Sequence, residues 1–244
     1  MTEHITRIHR FADLETLSRA AARALVDDVQ DVLATQDRYT LALAGGGTPT
    51  RLYELLAAGA EGALPWERIH LFWGDERYVP PTDDRSNHHL VRRSLLTSIS
   101  IPAENVHPIP TNAGSPEIAA AAYEQTLRQY FSDREATFDT VLLGLGGDGH
   151  TASLFPETPD LGQTDGWVRV VEAPPRHDVP TRLTCSLPVL NGARRAIFLV
   201  AGARKREALR GVLDEKDPSL PATHIHPREQ VDWCVDHAAR PDAE

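Results

Sequence analysis

The stretch from Thr140 to Ser153 constrains this chain more than any other. Val141, Leu142 and Leu143 form a short continuous apolar run, the pattern of a strand buried on both faces of a parallel sheet. Gly144, Gly146, Gly147 and Gly149 follow at once; glycines end the strand, permit positive φ and let a backbone approach a ligand closely. In open α/β sheets ligands sit beyond the carboxyl ends of the strands. Asp148 and His150, which close this stretch, are therefore a candidate acid/base pair at a binding crevice. The same residues would also suit a plain connector in which Asp148 caps a following helix and His150 faces solvent.

The rest of the chain repeats the alternation. A weak edge strand is expected at His4 to Phe11, then a helix from about Asp13 to Leu33 with apolar residues at helical spacing. Strands are expected at Thr40 to Ala44, Ile69 to Trp73, Phe138 to Leu143, Val168 to Glu172, Arg182 to Ser186, Ala196 to Val200 and Val231 to Val235. Helices are expected at Pro49 to Ala58, Asn87 to Leu96, Ser115 to Tyr130 and Ala203 to Leu213. This order implies a mostly parallel sheet covered by helices. The 244 residues, 41% of them hydrophobic, suffice for one large α/β domain spanning 1–244, with a polar tail fraying from about residue 237.

Three further segments stand at predicted strand ends. Gly45-Gly46-Gly47-Thr48-Pro49 turns a strand into a helix, with Thr48 as the expected N-cap and Pro49 at the first helical position. Such a turn aims free N–H groups and the helix dipole at one point, which suits a phosphate, although an ordinary capped helix has the same pattern. It is neither a dinucleotide fingerprint nor a Walker loop, because the spacing differs and no Lys-Ser/Thr follows. Asp75-Glu76-Arg77 follows the Ile69 to Trp73 strand, and an arginine there suits bidentate recognition of phosphate or carboxylate. Finally, of 25 Lys and Arg residues only Lys205 and Lys216 are lysines. Lys205 lies just past a predicted strand, where a compact point charge has a use.

Charge and cysteine content exclude whole classes. A net charge of −10 argues against general nucleic-acid or anionic-membrane binding, so an anionic substrate would need a local basic pocket. Cys185 and Cys234 are too few and too distant for a disulfide framework or a zinc site and fit buried thiols in a reducing cytoplasm. No segment approaches the roughly 20 apolar residues of a membrane span, and Met1 to Phe11 lacks a signal-peptide core. A cytoplasmic location follows as an expectation, with no metal or cofactor. His88, His89, His177, His224 and His226 are read as surface or packing residues. Neither cysteine sits in a nucleophile motif, and no GxSxG elbow occurs.

Taken in order, four segments make the chain resemble the 6-phosphogluconolactonase family. They are Leu41 to Pro49; Trp73 to Arg77 with Val79-Pro80-Pro81 and Ser86-Asn87; Gly144 to Pro156; and Gly202 to Lys205. The resemblance implies a Rossmann-like three-layer α/β/α fold shared with glucosamine-6-phosphate deaminases and ribose-5-phosphate isomerases, here without a dinucleotide. It implies hydrolysis of 6-phospho-D-glucono-1,5-lactone, the second step of the oxidative pentose phosphate pathway, by a monomer or small homo-oligomer. His150 would be the base and Asp148 its partner, with Asp75 and Arg77 completing the catalytic set. Arg77 would meet either the oxyanion or the phosphate. Arg182, Lys205 and the turn Gly45, Gly46, Gly47 and Thr48 would hold the phosphate. The chain departs from the pattern in having Gly47 where relatives often carry a side chain. Ser153-Leu154-Phe155-Pro156 stands where deaminases place an Asn-Glu-Pro acid, which favours the lactonase over an isomerising deaminase, in which Asp75 would move a proton between carbons. A non-catalytic sugar-phosphate sensor is the more distant alternative.

Overall fold

A computed structural model describes residues 5–132, 137–156 and 166–240. In chain order the elements are β1 (Ile5–Phe11), α1 (Leu14–Leu33), β2 (Tyr39–Leu43), α2 (Gly47–Ala57), β3 (Ile69–Trp73), β4 (Asp75–Arg77), α3 (Asn87–Ser94), β5 (Val106–His107) and α4 (Pro116–Tyr130). They continue with β6 (Thr140–Gly144), β7 (Val168–Glu172), β8 (Thr181–Cys185), α5 (Leu187–Asn191), β9 (Arg195–Val200), α6 (Arg206–Arg210) and β10 (Gln230–Asp236). Seven strands form one parallel sheet in the order β1-β10-β9-β6-β2-β3-β5. Helices cover it in a three-layer α/β/α arrangement.

The apolar runs are strands for the reason their composition suggests: Tyr39 to Leu43 and Thr140 to Leu143 are buried at every position. Residues on both faces of such a strand meet helices, and α1 supplies one of these through Leu17, Ala21, Leu25 and Val29. Its start is set by Asp13, whose side chain accepts from Thr16 N at 2.8 Å in a capping box. Both cysteines are free and buried, and burial pushes both thiols up, Cys234 to about 12.

Four expectations are corrected. First, β4, β8 and β7 form a separate three-stranded antiparallel sheet. Residues 173–180 link β7 to β8 without a helix, too short a connection for parallel neighbours. Second, α2 begins at Gly47, not Pro49, because Gly46 takes φ 93° and carries the chain into the helix early. Thr48 thus sits within the first turn, and no side chain caps that helix. Third, the helix expected from Ala203 to Leu213 is a 3₁₀ turn, the short α6 and a π turn over Gly211–Glu215. Fourth, His237 to Arg240 is docked rather than frayed: His237 N donates to Phe11 O at 2.8 Å and Arg240 pairs with Asp214 at 2.8 Å. Residues 241–244 and the expected strand residue His4 lie outside the described residues.

Candidate active site

Four adjacent strands of the large sheet, β9, β6, β2 and β3, end side by side. Beyond their carboxyl ends stand Lys205, the His150 loop, the glycine turn and Asp75-Glu76-Arg77 respectively. They enclose a cavity of about 280 Å³ whose lining includes Gly45 to Thr48, Asp75, Arg77, His150, Arg182 and Lys205. Every candidate residue from the sequence is therefore brought to one place, with Asp148 directly behind His150.

The His150 loop is held by its own backbone. Gly146 N donates to His150 O at 2.8 Å and Gly149 N to Gly146 O at 3.1 Å. A Cβ on Gly146 would overlap the His150 ring and the Asp148 carboxylate, so only glycine lets the pair fold back over the strand end. Of the four glycines in this stretch only Gly149 has positive φ, 83°. Asp148 Oδ1 lies 2.5 Å from His150 Nδ1 and also accepts His150 N at 3.2 Å. Its Oδ2 accepts Nη2 and Nε of Arg176 at 2.5 and 3.1 Å. Burial opposes the charge on Asp148, but the hydrogen bond and charge of His150, then Arg176, outweigh it and hold the carboxyl well below its usual range. An ionised Asp148 is an acceptor only, so Nδ1 carries the proton and Nε2 is the basic nitrogen.

The antiparallel sheet supplies the arginines. Register pairs Arg77 with Arg182 across β4 and β8. Arg182 is 7% exposed, its Nε donating to Val179 O at 2.9 Å, while Arg77 Nη1 donates to Arg85 O at 2.6 Å. Among the described residues neither guanidinium makes a salt bridge, and burial followed by the neighbouring charge of Arg77 pulls Arg182 down. A buried and a half-buried cation side by side create a place for an anion. Burial likewise lowers Lys205, against the pull of Asp148. At the glycine turn the uncapped first turn of α2 adds N–H groups of Gly47 and Thr48.

The acids beside Arg77 divide between two tasks. Asp75 faces the cavity, with Oδ2 accepting Ser153 Oγ at 2.7 Å and Oδ1 accepting Asn87 Nδ2 at 3.3 Å. Glu76 instead turns inward and caps α3. It accepts Arg77 N, Asn87 N and His88 N, each at 2.7 Å, and Ser86 Oγ at 2.9 Å. Burial still pushes Glu76 up despite these bonds.

The structure adds residues that sequence reasoning passed over. His177, expected as a surface or packing residue, lines the cavity; its ring meets His150 edge-on at 5.2 Å and Phe155 at 4.8 Å. Burial and then the charge of His150 lower it. Arg176 reaches Asp148 from the β7–β8 connection, and Asn87 backs the glycine turn, where a Cβ on Gly45 would overlap its carboxamide. Neither Arg176 nor His177 bears a spacing to residues 148–150 that marks it in the sequence; only the Pro174-Pro175 turn hints at the loop. Asp148, His150 and His177 offer ligand atoms within 4.8 Å of one another, a set that could hold a metal ion. The Arg176 fork on Asp148 competes with a cation there. His224, expected as a surface or packing residue, is bonded through Nε2 to Pro218 O at 2.7 Å.

The chain is similar to known proteins in sequence and in fold. The family model described as glucosamine-6-phosphate isomerases/6-phosphogluconolactonase matches residues 12–233. A 6-phosphogluconolactonase from Synechocystis sp. is 44% identical over 216 residues, covering 86% of this chain and 87% of the relative. The crystal structure of the 6-phosphogluconolactonase from Thermotoga maritima superposes with a TM-score of 0.83 at 33% identity, covering 95% of this chain and 100% of the other. A monomeric glucosamine-6-phosphate deaminase shares the fold, with a TM-score of 0.82 at 24% identity, covering 96% of this chain and 98% of the other.

Proposed function

The chain belongs to the glucosamine-6-phosphate isomerase/6-phosphogluconolactonase family, and on that premise we propose that it hydrolyses 6-phospho-D-glucono-1,5-lactone to 6-phospho-D-gluconate, the second step of the oxidative pentose phosphate pathway. The observation that carries this reading is His150, backed at 2.5 Å by Asp148, on the wall of a cavity that also holds three buried or half-buried cations. The chain acts as a single domain in the cytoplasm, as a monomer or small homo-oligomer, on a small sugar-phosphate lactone, with no nucleic-acid or membrane partner.

A lactone is an activated ester. Its hydrolysis needs a base for water, compensation of the developing oxyanion and a proton for the departing ring oxygen. With Nδ1–H engaged by Asp148, His150 Nε2 takes a proton from water as the water oxygen bonds to the lactone carbonyl carbon. Asp148 stabilises the resulting imidazolium and fixes its ring. When the tetrahedral intermediate collapses, the bond from that carbon to the ring oxygen breaks and Nε2–H returns the proton to that oxygen. Arg77 faces the oxyanion. Lys205, Arg182 and the Gly46, Gly47 and Thr48 amides receive the phosphate; because Arg182 lies beside Arg77, the two share the substrate's negative charge. Backbone amides serve where Gly47 lacks a side chain. Asp75, bonded by Ser153 and Asn87, keeps lone pairs for sugar hydroxyls.

The deaminase reading is not favoured. Ser153, bonded to Asp75, stands in the segment where that chemistry needs an acid. The discriminating experiment supplies the wild-type protein with the phosphorylated lactone, generated in situ, and separately with glucosamine 6-phosphate. Accelerated lactone decay without ammonia release from the amino sugar is expected. The opposite pattern would transfer the site to the deaminases.

A further inference from the structure

The family's reaction accounts for His150 and Asp148, but Asp148 has a second oxygen, and a different sheet holds it. Residues 173–180 connect β7 to β8 and close through Ala173 N to Pro180 O at 2.6 Å and His177 N to Pro174 O at 2.9 Å. That closed loop carries Arg176 to the His150 loop, 28 residues earlier in the chain. The guanidinium forks onto Asp148 Oδ2 with Nη2 at 2.5 Å and Nε at 3.1 Å, while Oδ1 stays on His150 Nδ1 at 2.5 Å. A carboxylate gripped at both oxygens cannot rotate about its Cβ–Cγ bond, so the fork fixes the direction from which Asp148 addresses the imidazole.

We propose that Arg176 is a positioning residue for the catalytic base: it locks the Asp148 carboxylate against His150 and so holds the imidazole in one orientation. The proposal rests on the lactonase reading above. The groups facing the pair are Arg176 and His177 from the β7–β8 connection and Lys205 from the turn after β9. His177 Nε2 is 3.7 Å from Asp148 Oδ2, beyond a hydrogen bond, and Lys205 acts on Asp148 only through its charge. Arg176 is thus the cation in direct contact. Removing it frees the Asp148 carboxylate to rotate about Cβ–Cγ, so the imidazole loses its fixed orientation.

The test compares Arg176→Ala, Arg176→Lys and wild type in two readouts. In the first, kcat for lactone hydrolysis should fall about threefold to tenfold in Arg176→Ala while KM stays near wild type, as expected for a loosened base rather than a lost one. Arg176→Lys keeps the charge without the fork, so it should recover only part of kcat. The second readout needs no turnover: the NMR resonance of the His150 Nδ1–H, which Asp148 holds, should broaden or move in Arg176→Ala and be partly restored in Arg176→Lys. A wild-type kcat and an unchanged Nδ1–H resonance in Arg176→Ala would overturn the proposal, as would a rise in KM at unchanged kcat. If wild type left the lactone untouched while the resonance still changed, the lactonase reading would fail and the coupling would stand.

Discussion

The two ends of the central sheet use the same ingredients, acids and arginines, in opposite ways. Beneath the amino ends of the strands, Asp28 accepts Tyr39 Oη at 2.5 Å, Thr140 Oγ1 at 3.1 Å and Arg194 Nη2 at 2.6 Å. Asp139 accepts Thr40 N and Oγ1 at 2.7 and 2.6 Å, and Asp232 is paired by Arg195 at 2.7 Å and His9 at 2.8 Å. Burial and the charge of Asp28 push the Tyr39 hydroxyl up, so it remains a donor. Each of these acids has its partners within the fold. Beyond the carboxyl ends, Arg77, Arg182 and Lys205 line a cavity, and among the described residues none of them makes a salt bridge. A closed network fixes register between helix and strands; an open one reserves its charge for a ligand. The contrast identifies the working end without reference to any relative.

Substitutions at the two ends should separate stability from substrate handling. The largest expected effect on folding comes from Arg194→Ala, which takes the closest cation from the buried Asp28 and leaves it Arg195 at 3.5 Å. It should cost roughly 2 kcal/mol and lower Tm by about 4–8 °C, with kcat and KM unchanged; a melt matching wild type would remove the bottom network from the comparison. At the open end, Lys205→Ala should leave Tm near wild type. Losing one charge-assisted contact to phosphate should raise KM on the order of tenfold to a hundredfold while kcat changes little. A collapse of kcat at constant KM would move Lys205 from binding to chemistry. The smallest effect concerns acid stability. Asp148 is held below its usual range by the fold, so its contribution is complete above the unfolded carboxyl value, about 3.9, and is lost as pH falls toward the depressed value. Asp148→Asn should therefore lower Tm at neutral pH by a margin that shrinks below about pH 4.

Much of this was legible before the structure. Continuous apolar runs marked β2, β3, β6, β9 and β10 because strands covered on both faces need no alternation. Glycine-rich segments after β2 and β6 marked the working end, since backbone that must approach a ligand cannot carry side chains. Asp75, Arg77, Asp148, His150 and Lys205 followed from standing just past predicted strands, and all but Asp148 line the cavity, with Asp148 bonded to His150. What stayed hidden depends on contacts without a local pattern. The antiparallel sheet includes β4, whose Asp75-Glu76-Arg77 reads as a polar loop because its strand character comes from pairing with β8. Arg176 and His177 act only because β7 and β8 lean their connection over the His150 loop. Glu76 stands between two candidate site residues, yet its surroundings make it the cap of α3.

The most direct measurement is the decay of in situ generated 6-phosphogluconolactone with wild type, His150→Ala and Arg194→Ala, each below its own melting temperature. The account predicts acceleration by wild type and by Arg194→Ala, with His150→Ala reduced by on the order of 10² to 10⁴ while still folded at the assay temperature. Decay with His150→Ala as fast as with wild type would contradict it.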